Sequence, residues 1–79
     1  KNMNKLTLEQ REKIFKNIPP AYNYAAKDFD GRWYCYLEEP KIIGNLWAWW
    51  HKSALRIDAA AYGIKIHWKD SLISRPQKQ

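Results

Sequence analysis

The stretch that most narrows what this chain can fold into is Ala21–Pro40, AYNYAAKDFDGRWYCYLEEP. On its first side Tyr22, Tyr24 and Ala26 alternate with Asn23 and Ala25. On its second side Trp33, Cys35 and Leu37 alternate with Tyr34 and Tyr36. A period of two rich in aromatic residues marks a strand, and Asp and Gly between two such runs mark a hairpin. Gly31 supplies the positive φ that closes a short loop, while Asp28 and Asp30 are suited to hydrogen-bond the loop backbone.

Upstream, Thr7-Leu8-Glu9-Gln10 has the form of a capping box, with Leu8, Ile14, Phe15 and Ile18 spaced for one helix face. Pro19-Pro20 stops that helix, because neither residue has an N–H to donate. The spacing predicts about three turns, with Lys13 and Lys16 on the wet face and Glu9 paired to Lys13. Downstream, 41–45 reads as a connection with a Gly-Asn corner. Leu46-Trp47-Ala48-Trp49-Trp50 reads as a strand carrying Trp on both faces. Residues 53–62 divide between a helix capped by Ser53 and Gly63 and a strand over 54–58, with the strand preferred. Ile64-Lys65-Ile66 reads as a last short strand. His67 to Pro76 then reads as a terminal turn or short helix capped by Asp70 or Ser71. The fold class expected is α+β: one domain over 1–79, an N-terminal helix packed on a small, mainly antiparallel sheet of three or four strands.

Composition sharpens this reading. Five Trp, five Tyr and two Phe occupy 79 positions. Each buried ring removes roughly 150–250 Å² from water, so a few suffice for a core of this size; most rings read as core, packed under the N-terminal helix, with a surplus expected outside it as a binding platform. The one cysteine, Cys35, excludes an intramolecular disulfide and sits where a small buried hydrophobe belongs. The absence of a disulfide framework, of a secretory h-region and of any long apolar run leads to an expectation of a cytoplasmic protein without a membrane span. Cys35, His51 and His67 match no zinc spacing, and the three glycines form no phosphate loop. No cofactor, metal or catalytic residue is expected, and the chain reads as a non-enzyme.

Charge points to a binding surface instead. The formal net charge is +6. Residues 1–40 carry seven basic and six acidic groups, whereas 41–79 carry seven basic and two acidic ones, net +5. Rings that stack on bases beside cations that neutralise phosphates hold nucleotides and single strands. The candidate ligand-binding residues are Trp47, Trp49, Tyr34 and Tyr36 on the outer face of the sheet, with Lys27, Arg32, Lys52 and Arg56 nearby. Trp68, Lys69 and Arg75 are candidates for a further part of an anion site.

The segments Lys27-Asp28-Phe29-Asp30-Gly31-Arg32-Trp33-Tyr34 and Trp68-Lys69-Asp70-Ser71-Leu72-Ile73-Ser74-Arg75-Pro76 resemble a group of small phage and prophage proteins. Those proteins show a D-x-D-G-x-W hairpin, a proline seven residues beyond its Trp, and a closing W-[KR]-[DE]-S-L-x-x-R-P. The likeness covers about a third of the chain, leaving out the N-terminal helix and the LWAWW segment. It implies a phage or mobile-element origin and a small β-rich fold, and it carries over no catalytic residue. The function expected is that of a phage accessory protein in the cytoplasm of its bacterial host. It would counter a host defence system by binding an anionic ligand, a nucleotide signal or nucleic acid. The alternatives are a protein–protein inhibitor docking an aromatic face on a host enzyme, and a homo-oligomeric module whose exposed rings form the subunit interface.

Overall fold

A computed structural model describes residues 6–44, 46–48 and 54–76. Its helix α1 (Leu8–Phe15) opens as its sequence requires: Thr7 Oγ1 accepts from the Gln10 N–H at 3.1 Å, and Gln10 Oε1 accepts from the Thr7 N–H at 2.9 Å. It closes earlier than the apolar spacing predicts, at eight residues, and tighter turns carry the chain on to Pro19. Ile14 and Phe15 are buried, Lys13 and Lys16 exposed. Lys13 lies 5.7 Å from the centre of the Tyr62 ring, a cation–π arrangement in place of the expected pairing with Glu9.

The hairpin is β1 (Tyr24–Lys27) and β2 (Trp33–Tyr36), in antiparallel register Tyr24–Tyr36, Ala25–Cys35, Ala26–Tyr34 and Lys27–Trp33. Gly31 has φ +90°, and Asp30 Oδ1 accepts from the Arg32 N–H at 3.1 Å, so the loop chemistry is local here. Asp28 acts differently, as described below. β3 (Lys41–Ile43) and β4 (Leu46–Ala48) form a second hairpin, turning at Gly44 with φ +64°. The expected connection over 41–45 is therefore corrected as far as the described residues go: Ile42 and Ile43 belong to a strand, and Gly44, with its positive φ, ends it as such a hairpin turn requires. β5 (Leu55–Ile57) pairs with β2, bearing out the strand reading, and a 3-10 turn (Ala59–Tyr62) follows it. The strand expected at Ile64–Ile66 is absent. A 3-10 turn (Trp68–Asp70), capped by the His67 side chain, leads instead into β6 (Ile73–Ser74), which pairs with β1.

The main sheet runs β5-β2-β1-β6, antiparallel throughout, and β3-β4 is a separate two-stranded ribbon. Alternation sorts the main sheet into two faces. Ala25, Trp33, Cys35 and Ile73 look towards α1 and form the core with Leu6, Ile14, Phe15, Ala59 and Ile64. Trp33, 1 % exposed, is the largest side chain sealed within it. Tyr24, Ala26, Tyr34, Tyr36 and Arg56 share the opposite face by register.

Two side chains from the C-terminal motif lock this arrangement. Ser71 is fully buried, and its hydroxyl accepts from the Lys27 N–H at 2.7 Å while lying 2.7 Å from the Trp68 carbonyl. It extends the β1 ladder where the backbone of β6 has not yet begun. Arg75 reaches back across the fold: its guanidinium donates to the carbonyls of Tyr22 (2.7 Å), Pro19 (2.7 Å) and Ile18 (3.2 Å) and sits 4.7 Å from the Phe15 ring centre. Arg11 completes the tie from the other side, donating to the Ser74 carbonyl at 3.1 Å. Hydrogen bonds from a charged guanidinium are stronger than neutral ones, so these tie the loop after α1 firmly to β6 and the residues beyond it.

Candidate functional site

The second face of the main sheet carries most of the sequence-derived candidates, and the ribbon decides which of them a ligand can reach. The Trp47 N–H donates to Asp28 Oδ1 at 2.9 Å, and the Trp47 carbonyl accepts from the Tyr36 hydroxyl at 3.2 Å. In an extended strand the N–H and C=O of one residue point the same way. The ribbon therefore stands on its β4 edge above the sheet, held by two side chains that rise from it. The Trp47 indole N–H donates to the Trp68 carbonyl at 3.0 Å, which places the indole toward the 3-10 turn flanking β1. Ala26, on the sheet face bearing Tyr36 and Asp28, is wholly buried.

This second layer corrects two of the expected ligand contacts. Tyr36 lies on the predicted face but is 2 % exposed, and its hydroxyl is committed to Trp47. Burial, reinforced by the charge of Asp28, pushes its phenol pKa upward. Arg75 is likewise withdrawn, because its guanidinium is satisfied by three carbonyls of the loop after α1. Lys27 is half-buried and its backbone is held by Ser71. Arg32 is exposed at the hairpin turn, 3.7 Å from Asp30, in a solvent-screened ion pair. Trp49 and Lys52 lie outside the described residues.

The remaining candidates fall into two groups on either side of the ribbon. Tyr34, half-buried, stands directly opposite Arg56 across the β2–β5 ladder, and Arg56 is exposed. Among the described residues Arg56 makes no ion pair. The second group is local to the 3-10 turn. His67 stacks on Trp68 with ring centres 6.3 Å apart, and the Lys69 ammonium is 5.7 Å from the Trp68 ring centre. Trp47 joins this group through its bond to the Trp68 carbonyl.

Asp28 is the residue whose part in building this face its sequence position concealed. Its place in a D-x-D-G loop predicts a local backbone contact, yet its carboxylate is buried and bonded nineteen positions away. Burial raises its pKa most, the Trp47 N–H lowers it, and the nearby Asp30 charge raises it again, for a net upward shift. Cys35 is wholly buried, and burial pushes its thiol up to about 12, far from the range in which a thiolate forms at neutral pH. Among the described residues no group of three or more His, Cys, Asp or Glu is gathered closely enough to hold a metal ion. No helix there is long and apolar enough to cross a membrane. The chain matches no protein-family model, no curated protein and no solved structure.

Proposed function

We propose that the protein works by non-enzymatic binding of an anionic ligand, a nucleotide or a nucleic acid strand. The ligand is taken on the face where Tyr34 adjoins Arg56, with Trp68 and Lys69 as a second contact beyond the ribbon. The observation that carries this reading is the Tyr34–Arg56 pair: a partly accessible ring and an exposed guanidinium side by side on a rigid ladder. A planar cation next to a ring suits a phosphate joined to a base, since one neutralises and the other stacks. The net charge of +5 over residues 41–79 adds long-range attraction for such a ligand. The resemblance to small phage proteins adds a setting: an accessory protein acting inside a bacterial host, where sequestering a nucleotide signal or coating nucleic acid would blunt a defence response.

Titration of intrinsic Trp fluorescence with single-stranded DNA, RNA, and cyclic and ADP-ribose-type nucleotides tests the proposal. At low salt at least one of these quenches saturably. The affinity falls steeply as salt is added, because counterions are released from the phosphates. Arg56→Ala removes most of the binding, with folding unaffected at this exposed position. Absence of quenching by every ligand would sink the proposal. Salt-independent capture of a host enzyme would favour the rival in which the aromatic face docks on a protein.

A further inference from the structure

One pairing of ring and cation occurs twice on this molecule. Across the β2–β5 ladder the half-buried Tyr34 stands opposite the exposed Arg56. On the other side of the ribbon the exposed Lys69 holds its ammonium 5.7 Å from the centre of the half-buried Trp68 ring, with His67 stacked alongside. Among the described residues neither Arg56 nor Lys69 is held in an ion pair. The second pair is also held in shape before any ligand arrives. The Trp68 carbonyl accepts from the Trp47 indole at 3.0 Å and from the Ser71 hydroxyl at 2.7 Å, and the Lys69 N–H donates to His67 Nδ1 at 3.1 Å. Each pair offers what one nucleotide needs, an aromatic surface for the base and a cation for the phosphate.

The sheet order fixes how far apart the two pairs stand. Arg56 belongs to one edge strand, β5, and the Trp68–Asp70 turn leads into the other, β6. About three strand spacings, roughly 14 Å, lie between them, and the ribbon rises in that gap. A single base with its phosphate fills one pair and has nothing left for the other. We infer that both pairs are filled by one ligand, a single-stranded nucleic acid that crosses the ribbon; this rests on the anion-binding reading above and narrows it from nucleotides in general to a strand. Lys41, exposed on the outer strand of the ribbon, adds a cation along that path. A duplex does not suit the arrangement, because its bases are stacked on each other and present no free faces to the rings. Joining two weak contacts through one flexible chain raises affinity without any new contact, provided the chain is long enough to span them.

Trp fluorescence and calorimetry at low salt test this with thymidylate and uridylate ligands: the mononucleotide, the dinucleotide and single strands of about four and about eight nucleotides. A cyclic dinucleotide and a short duplex complete the series. The longest strand binds one per chain, about a hundredfold more tightly than the mononucleotide, and the duplex shows no such gain. Arg56→Ala and Lys69→Ala, both at exposed positions, each collapse the advantage of length, and the double substitution lowers that ratio no further than either alone. Ligands that bind with one affinity whatever their length overturn the inference while leaving anion binding in place. So does a length advantage that survives Lys69→Ala, and so does a cyclic dinucleotide that matches the longest strand. Failure of every ligand to bind removes both readings together.

Discussion

The molecule contains two hairpins that differ in how they are held. β1–β2 is clamped on both faces: the core packs beneath Ala25, Trp33 and Cys35, and the ribbon stands above Ala26 and Tyr36. Its edges are paired as well, with β5 on one side and β6 on the other. β3–β4 has neither advantage. Its strands are three residues long, and among the described residues nothing pairs with the outer edge of β3. Its backbone is attached to the rest through the Asp28 carboxylate and the Tyr36 hydroxyl, helped by the Trp47 indole. One hairpin is a structural axis because apolar area surrounds it. The other is an appendage fixed by a few directional bonds, and two-stranded ribbons in isolation are marginal in water.

Substitutions can test whether that difference is real. Trp33→Ala empties the largest sealed site in the core and should cost about 3–5 kcal/mol, enough to unfold a domain of this size. Both hairpins then lose hydrogen-exchange protection together, as measured by NMR. Asp28→Ala strips the Trp47 N–H of its acceptor and should cost about 1–3 kcal/mol. Here the loss of protection stays within 41–48 while β1–β2 remains protected; a uniform loss would show that the hairpins are one cooperative unit.

Acidity offers a finer probe of the same tie. The Asp28 pKa is raised in the folded protein, so the native state holds this proton more tightly than the unfolded chain does. Its contribution to stability is therefore complete below the ordinary aspartate range and is lost as pH climbs through the raised value. Asp28→Asn keeps an acceptor oxygen but does not titrate. The wild-type protein should lose stability relative to Asp28→Asn across that window on raising the pH, read from denaturant midpoints at several pH values. Tyr36→Phe is the mildest of the set: it keeps the buried ring and removes one bond to the Trp47 carbonyl, for about 0.5–1.5 kcal/mol. Its signature is faster exchange in the ribbon with little change in the midpoint.

The contrast also explains what the amino-acid order could reveal. The capping box at Thr7–Gln10, the alternation through Tyr24–Lys27 and Trp33–Tyr36 and the burial of Cys35 rest on neighbours in the chain, and they are found as expected. Alternation also placed Tyr36 on the correct face. It could not say that the face has a cover, because the cover comes from residues 41–48 and is held by side chains rather than by a pattern. Arg75 and Asp28 mislead for the same reason: charged residues in a basic motif and in a turn suggest ligand and loop, while their partners lie 53 and 19 positions away. β6 escaped notice because two residues are too short a run to show any period. Of the candidate surface, Tyr34 and Arg56 were legible as members of one region. Their adjacency follows only from the register of β5 on β2.

The knot of bonds made by Ser71 and Arg75 bears on how such a chain is born. Lys27 and the loop at 18–22 are synthesised long before the hydroxyl and guanidinium that satisfy them. A nascent polypeptide halted short of residue 75 would carry a helix and a hairpin with an open flank and carbonyls still facing water. These bonds can form only once residues 71–75 have been made, so the flank of β1 and the loop after α1 are closed later than the strands they secure.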